Sequence, residues 1–265
     1  MNNCDFTFRG ETLSSHGYIL CDFEPITDLS TIDTDSLRNF SVVSLYNGKY
    51  TPFIFSKYED GLSMRLSICK DTNNDDYIIQ PKETSKVKRW LSSPCESELR
   101  VSDSAYSGIF WIGSFNVEEV HHSSGCVGFN LEFKSTAPFG YKDVVTLSGD
   151  LVGGGSISIN DTSDEEGYIY PELSITTKMS GDLTITNEFD GRKTILKNCV
   201  SNETITFNNL LQVYTNIKSH NVYDDFNFKF PRVCNTYRKT SNVFTVNLPC
   251  KYSLSYRPIA KVVYR

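Results

Sequence analysis

Residues 173–197 read LSITTKMSGDLTITNEFDGRKTILK, and this stretch carries the clearest pattern in the chain. Apolar side chains alternate with polar ones, as Leu183 and Ile185 illustrate, which is typical of a strand with one face on a core. Asp190-Gly191 separates two such runs, and this dipeptide readily adopts the positive φ angles of a tight hairpin turn. The stretch therefore predicts antiparallel β-structure.

The same alternation recurs on both sides of this stretch, so we expect an all-β, mainly antiparallel fold. Asn47-Gly48 and Asp60-Gly61 are two further turn dipeptides, and together they predict a meander of three antiparallel strands over residues 42–70. The other alternating segments are Phe6/Phe8, Ile205/Phe207, Phe226/Phe228/Phe230, Phe244/Val246/Leu248 and Tyr252/Leu254/Tyr256.

One segment departs from the β pattern and predicts a short helix. ETSKVKRWLSS, residues 83–93, places Val87, Trp90 and Leu91 on one face at helical spacing. Pro94 follows directly and cannot continue a helix. We therefore expect one short helix in an otherwise β-structured protein.

The start of this helix and its packing are also predicted. We expect the hydroxyl of Thr84 or Ser85 to cap its N-terminus, because serine and threonine accept hydrogen bonds from the first free N–H groups of a helix. A single short helix is unstable alone, so we expect it to pack on a sheet or on a neighbouring subunit.

The composition predicts a soluble globular protein. Of the 265 residues 39% are hydrophobic, and no apolar run approaches the roughly 20 residues of a membrane helix. The first ten residues, MNNCDFTFRG, lack the basic and apolar regions of a signal peptide. We therefore expect no membrane contact and no export.

The charge is unevenly divided along the chain. Residues 1–140 carry 12 Lys+Arg against 19 Asp+Glu, a net charge of −7, whereas residues 141–265 carry 14 against 13, a net charge of +1. Phosphate contacts need Lys and Arg, so we expect no specific nucleic-acid binding. An ordinary solubilising surface also explains the acidity.

Cysteine and histidine spacing predicts no metal site. No two of the eight cysteines lie within three residues of each other, and we expect them to be reduced thiols. His121-His122 beside Glu118-Glu119 is a possible metal or acid/base cluster. Neighbours in a strand alternate faces, so only His122 and one partner are expected to converge, and we interpret the segment as a solvated loop.

Catalytic motifs are missing from the sequence. There is no G-x-S-x-G, no H-E-x-x-H, no P-loop and no G-x-G-x-x-G. We interpret adjacent acids such as Glu165-Glu166 and Asp224-Asp225 as solvated turns. We therefore expect no catalytic residue, no cofactor and no enzymatic activity.

Two segments predict a domain boundary near residues 137–155. STAPFGYKD, residues 135–143, has turn chemistry, and GDLVGGGS, residues 149–156, is rich in glycine. A long hairpin within one domain is the alternative. We expect an N-terminal domain of residues 1–136 and a C-terminal domain of residues 137–265.

Five stretches, in this order, carry a resemblance to a known family. The chain is similar in them to the distal tail proteins (Dit) of long-tailed, non-contractile phages, in the phage tail component family. The match spans nearly the whole chain, and the order and spacing are more specific than any one motif. The stretches are FTFRGETLSSHGYIL (6–20), KVKRWLSSPCESELRVSDSAYSGIFWIGSF (86–115), GCVGFNLEFKSTAPFGY (125–141), SINDTSDEEGYIYPELSITTKMSGDLTITNEFDGRKTI (158–195) and FNFKFPRVCNTYRKTSNVFTVNLPCKYSLSYRP (226–258).

The resemblance implies a fold, a location and partners. It implies an N-terminal β-sandwich-like domain that builds a homo-hexameric ring and a C-terminal, galectin-like β-sandwich that projects outward. It places the protein at the tail tip of the virion, after assembly in the host cytoplasm. The implied partners are other copies of the chain, the tail tube protein, the tail-associated lysin or hub protein, and a receptor-binding protein at the rim.

The resemblance also implies candidate contact residues and a role for the charge. DNA passes through the lumen of such rings, and the acidity of residues 1–140 would keep it from adhering. The candidates for the ring interface, or for bracing the ring sheet, are the helix face, where Trp90 would be the anchor because buried aromatic residues dominate interface energy, and the tips of the meander, since ring proteins of this family use an extended hairpin to reach a neighbour. They are Val87, Trp90, Leu91, Asn47, Gly48, Asp60 and Gly61. A core role within its own domain is the alternative for Trp90.

A carbohydrate-binding module that attaches the particle to host glycans is the alternative function. Sugar sites in β-sandwiches use an aromatic ring for stacking. Both tryptophans, Trp90 and Trp111, lie in the first half, and residues 141–265 contain only one histidine. Tyrosine can replace tryptophan in stacking, so the alternative stays open. An unrelated two-domain β enzyme is a third hypothesis.

Overall fold

The fold was obtained as a computed structural model, and it consists of β-sheets with one helix of three turns. The structure describes residues 5–21, 23, 38–43, 53–58, 61–71 and 77–261. Chain contacts divide the protein into two units, residues 1–141 together with 261–265, and residues 142–260. Neighbouring strands along the main path of each sheet are antiparallel. The expected all-β, mainly antiparallel class is confirmed.

The first unit is built on one large sheet with a helix on its face. The strands run in the order β2-β1-β7-β8-β9-β6-β3, and β4 and β5 form a separate hairpin. The elements are β1 (Phe6–Phe8), β2 (Glu11–Thr12), β3 (Tyr18–Leu20), β4 (Arg38–Val43), β5 (Phe53–Tyr58), β6 (Ser63–Lys70), α1 (Pro81–Leu91), β7 (Ser97–Val101), β8 (Ile109–His122), β9 (Gly125–Ser135) and β10 (Gly140–Lys142).

The second unit packs two sheets around one core. The sheets have the orders β11-β21-β14-β17-β18 and β12-β20-β15-β16, and β13 pairs with β19. The elements are β11 (Val145–Leu151), β12 (Gly155–Asn160), β13 (Gly167–Ile169), β14 (Glu172–Thr177), β15 (Gly181–Asn187), β16 (Arg192–Cys199), β17 (Thr204–Phe207), β18 (Val213–Thr215), α2 (Val222–Asp225), β19 (Val233–Asn235), β20 (Ser241–Val246), β21 (Cys250–Tyr256) and β22 (Ile259–Ala260). The four-residue α2 is a helical turn that the sequence did not indicate.

The core of the second unit explains the alternation seen in the sequence. Leu183 and Ile185 of β15 are buried, and so are Leu173 and Ile175 of β14. The polar residues between them lie on the opposite face of their sheet, because successive side chains of a strand point to opposite faces. Burial of one face of each sheet therefore holds the two sheets together.

The hairpin at Asp190-Gly191 forms, but its turn is longer than a two-residue turn. Asn187 pairs with Arg192, so four residues connect β15 and β16, and Gly191 has a φ of +71°. The Asn187 Oδ1 atom accepts the Phe189 N–H at 2.9 Å, and Asp190 Oδ1 accepts the Arg192 N–H at 3.0 Å. These side-chain hydrogen bonds stabilise the wider turn.

The predicted three-stranded meander is wrong in its third strand. β4 and β5 pair as a hairpin, as expected, but β6 pairs with β9 and β3 in the large sheet. Among the described strands, β5 pairs with β4 alone. The reason is burial, because Met64 and Ile68 of β6 face the core of the first unit.

The strand predicted from Phe226, Phe228 and Phe230 is also wrong. Phe226 and Phe230 are buried, but Phe228 is 61% exposed and has a φ of +55°, which is not a strand conformation. The rings of Phe226 and Phe230 lie 4.9 Å apart and both contact Phe207. Their shared burial in an aromatic cluster, and not a sheet, produces the alternation.

Candidate functional site

The helix α1 begins earlier than its hydroxyl residues predicted. Pro81 is the first helical residue, and the Glu83 carboxylate accepts the backbone N–H of Gln80 at 2.9 Å. Proline suits this position because its missing N–H is not needed in the first turn. Thr84 and Ser85 lie inside the helix instead of capping it, so that prediction is wrong. The helix ends at Leu91.

The apolar face of α1 lies in the core of the first unit. Val87, Trp90 and Leu91 are all buried there, and only 6% of Trp90 is exposed. The Trp90 ring stacks on Phe6 at 5.8 Å and on His16 at 4.0 Å. These contacts brace the helix on the sheet, so a neighbouring subunit can reach α1 only through its other face.

A hydrogen bond fixes the position of Trp90. Its indole Nε1–H donates to the carbonyl oxygen of Phe8 at 3.0 Å. A buried indole needs such a partner, because a polar group removed from water without one costs free energy. The helix is therefore attached to β1 by both packing and a directed bond.

The outward face of α1 is basic. Lys82, Lys86 and Arg89 are exposed and lie at helical spacing on one side, whereas Lys88 forms an ion pair with Glu119 of β8 at 2.5 Å. This basic strip stands in a half of the chain that carries a net charge of −7. It is the exposed side of the helix whose opposite, buried side carries the predicted residues Val87, Trp90 and Leu91.

Of the four candidate residues at the meander tips, one lies among the described residues. Asn47, Gly48 and Asp60 lie outside them. Gly61 lies where the start of β6 meets the end of β9, and a Cβ atom on it would stand 1.8 Å from the Ser135 carbonyl oxygen. Glycine is therefore required there for the close approach of two backbones, which is a role inside the unit.

The β8–β9 hairpin brings together three potential ligands, of which the sequence indicated Glu119 and His121 but not Cys126. Ligand atoms of Glu119, His121 and Cys126 lie within 4.8 Å of one another. Glu119 and His121 share a face of β8, and Cys126 of β9 lies directly opposite His121. His122, the histidine expected to converge with a partner, is not part of this cluster, and its ring contacts Ser123 at 3.1 Å. Residues 118–122 lie in β8, so the interpretation of this segment as a solvated loop is wrong.

A β-bulge is the reason for this arrangement. The register between the two strands shifts between Val120 and His121, so an extra residue of β9 lies between the partners of these two residues. No spacing rule finds Cys126, because it lies across the hairpin. A hairpin register is the signal that would have placed it opposite His121.

Hydrogen bonds and burial set the charge of the cluster. The Lys88 ammonium and the His121 ring, which lies 2.9 Å from the Glu119 carboxylate, lower the pKa of Glu119. Burial raises the pKa of the Cys126 thiol. In the isolated protein the cluster therefore holds a carboxylate and a protonated thiol.

A second polar cluster lies inside the second unit. The Glu203 carboxylate is fully buried and contacts His220 Nδ1 at 2.6 Å, and the other ring nitrogen of His220 lies 3.3 Å from Asp225. Burial alone would raise the pKa of Glu203, but hydrogen bonds from Thr215, the Val200 N–H and His220 outweigh it and lower the pKa. These residues are far apart in sequence, so no motif indicated them.

Four of the seven described cysteines are buried, as small hydrophobes are, whereas Cys95 is exposed and Cys21 and Cys69 are partly exposed. None of the seven described cysteines, Cys21, Cys69, Cys95, Cys126, Cys199, Cys234 and Cys250, forms a disulfide in the structure. Burial raises the pKa of Cys199, Cys234 and Cys250 to about 11. A thiol with a raised pKa is a poor nucleophile near neutral pH.

Among the described helices, none is both long and apolar enough to cross a bilayer.

The fold and the site define the class of this protein, which is that of two-unit antiparallel β proteins with a helix braced on the first sheet. Two family models then cover nearly all of its length. Residues 1–137 match a model described as a phage tail protein N-terminal domain, and residues 139–256 match a phage tail C-terminal domain. The chain belongs to this family of phage tail proteins.

A solved structure supports the same conclusion at the level of the fold. The Dit protein of phage SPP1, described as a paradigm of the hub adsorption apparatus in phages that infect Gram-positive hosts, aligns over 96% of this chain and 98% of its own. The TM-score is 0.67 at 10% sequence identity. The resemblance to distal tail proteins is thereby confirmed.

Two other comparisons add little. A chain of the phage P2 baseplate in its activated conformation with Ca aligns over 98% of this chain and 99% of its own, with a TM-score of 0.43 at 8% identity. No curated protein sequence matches significantly.

Proposed function

We propose that this phage tail protein forms a hexameric ring at the tail tip. The ring joins the tail tube to the hub or tail-associated lysin, and its rim anchors a receptor-binding protein. Residues 1–136 build the ring and residues 137–265 project from it. The chain acts as a structural component and not as an enzyme. The observation that carries this proposal is a fold shared with a hub protein over 96% of the chain.

The basic face of α1 is our candidate for the contact between subunits. A ring needs two different surfaces of each copy to fit each other. Lys82, Lys86 and Arg89 provide a positive strip, and the net charge of −7 in residues 1–140 provides acidic surface for the next copy. Opposite charges guide such surfaces into register. The buried face of α1 packs on the core of the first unit and so holds the basic strip in a fixed position.

The acidity of residues 1–140 also supports passage of DNA through the ring. A lumen lined with carboxylates repels the phosphate backbone, so DNA does not adhere while it moves. An assembled ring with a neutral or positive lumen would contradict this part of the proposal.

Native mass spectrometry of the full chain tests the ring directly. We expect a species with about six times the 30.0 kDa chain mass at micromolar concentration. If the purified chain is only a monomer, electron microscopy of purified tails, with a label on this protein, shows whether it forms a ring at the tail tip. A label outside the tail tip, or a closed ring of another order, would overturn the proposal.

One observation favours glycan binding as a second candidate function. Tyr168 is 55% exposed and Tyr237 is 90% exposed. The Arg232 guanidinium lies 4.5 Å from the Tyr168 ring, and the Tyr237 N–H donates to Glu166. Exposed rings beside charged groups can stack on sugars.

A glycan array compared between variants tests this second function. Replacing Tyr168 and Tyr237 by alanine should abolish binding to the array, whereas Tyr223→Ala, which removes another exposed tyrosine, should not. Binding that both variants retain equally would reject a site at these rings.

A further inference from the structure

The cluster of Glu119, His121 and Cys126 combines three ligand types on one side of a hairpin. The bulge in β8–β9 holds the histidine opposite the cysteine, and the alternation of β8 holds the glutamate beside the histidine. Two strands therefore fix all three backbones. Ligands fixed in this way lose little conformational freedom when they bind an ion.

We propose that Glu119, His121 and Cys126 bind one divalent cation of the zinc class. Zinc accepts thiolate, imidazole and carboxylate ligands and commonly takes four in a tetrahedron. Adjacent ligand atoms around it stand about 3.5 Å apart, whereas here they all lie within 4.8 Å of one another. Small side-chain rotations would bring the three ligand atoms to the shorter separations that zinc requires. The fourth position faces solvent, since 58% of the His121 side chain is exposed, and holds water.

Binding replaces protons by the metal ion. The Cys126 thiol releases its proton to solvent and becomes the thiolate ligand. Coordination needs the lone pair of His121 Nε2, so the ring takes the tautomer with its single proton on Nδ1, and the 2.9 Å contact between Nε2 and Glu119 Oε2 is replaced by the bonds of both atoms to the ion. The other oxygen of Glu119 remains bound to Lys88, which orients the carboxylate from outside.

The ligand set favours zinc over calcium and magnesium. Calcium takes six to eight oxygen ligands and magnesium prefers an octahedron of oxygens. This cluster offers one carboxylate, one nitrogen and one sulfur, which softer cations prefer. The ammonium of Lys88 lies next to the site and weakens the binding of any cation by repulsion.

The test uses the full chain, freed of metal with a chelator and kept reduced. Titration with Zn²⁺ alone should give one ion per chain, and titration with Co²⁺ alone should give the charge-transfer absorption of a cobalt–thiolate bond. Ca²⁺ and Mg²⁺ should give no binding at the same concentrations. His121→Ala, which changes an exposed side chain, and Cys126→Ala should each weaken Zn²⁺ binding by at least about tenfold.

Matched variants separate this site from other ligands in the chain. His122→Ala and Cys95→Ser remove the neighbouring histidine and an exposed cysteine, and both should bind Zn²⁺ as the unchanged chain does. The proposal is overturned by less than one Zn²⁺ per chain, by a Co²⁺ spectrum without thiolate absorption, or by equal affinity in His121→Ala.

Discussion

Trp90 attaches α1 to the sheet of the first unit. The helical spacing placed it on the apolar face of α1, and the structure buries it against Phe6 and His16 with its indole bonded to Phe8. Periodicity predicts which side of a helix is apolar. It does not say whether that side meets its own sheet or another subunit, since both are apolar environments.

Truncation of Trp90 should therefore destabilise the unit itself. Trp90→Ala leaves a cavity under α1 and removes the hydrogen bond to the Phe8 carbonyl oxygen, so we expect the free energy of unfolding to fall by about 3 to 5 kcal/mol. Trp90→Phe keeps most of the packing and should cost less. Urea unfolding followed by circular dichroism measures both. Unchanged stability combined with a lost ring would show instead that Trp90 acts at an interface.

Glu203 gives a pH-dependent prediction. Its pKa is lowered in the folded protein, so its stabilisation is present above the unfolded pKa and is lost as the pH falls through the folded pKa. Glu203→Gln should lower the free energy of unfolding by about 2 kcal/mol at pH 7. The difference between the two proteins should shrink in acid, below the usual glutamate pKa of 4.5.

Denaturant unfolding at pH 7 and at pH 3 measures this difference. Glu188→Gln serves as the control, because Glu188 is an exposed glutamate that accepts a hydrogen bond from the Thr245 hydroxyl, and we expect little effect at either pH. A constant loss at both pH values would mean that the substitution disturbs packing and not charge. Such buried contacts join residues distant in sequence, so the sequence could not have predicted them.

The secondary structure elements were easier to predict than their ends and their partners. The alternation found the strands of the second unit because each has one face on the core. It also gave a false strand at Phe226–Phe230, because an aromatic cluster alternates in the same way. The predicted third strand of the meander was wrong because turn residues predict that the chain reverses, whereas burial determines which sheet the next strand joins.

The helix start illustrates a signal that was present and missed. Pro81 at the first helical position and Glu83 two residues later both signal the start of a helix. The hydroxyl residues that follow them are also common caps, and they led to the later start that was expected. Glu83→Ala should remove the acceptor of the Gln80 N–H and cost about 1 kcal/mol of stability.

Thermal unfolding of the Glu83 variants tests this cap. Glu83→Gln keeps an oxygen that can accept the same N–H but loses the ion pair with Lys70, so it should cost less than alanine. Equal losses would assign the effect to the ion pair and not to the cap.

Across the entire chain, the uneven charge joins the fold to the proposed ring. An acidic half that carries one basic helix face has surfaces of both signs. Charge reversal at Lys82, Lys86 and Arg89 to glutamate should therefore prevent ring formation while the monomer stays folded, since exposed charges contribute little to stability. Native mass spectrometry gives the assembly state, and circular dichroism confirms folding.

A control with the same change in net charge makes this prediction specific. Reversal of Lys193, Lys197 and Lys218, which are exposed on the second unit, should leave the ring intact. Salt gives an independent measurement, because screening of exposed charges should shift unaltered rings toward monomers as ionic strength rises. Rings that survive reversal on α1 and resist salt would show that the subunits meet through apolar surfaces elsewhere, and the basic strip would then face a different tail protein.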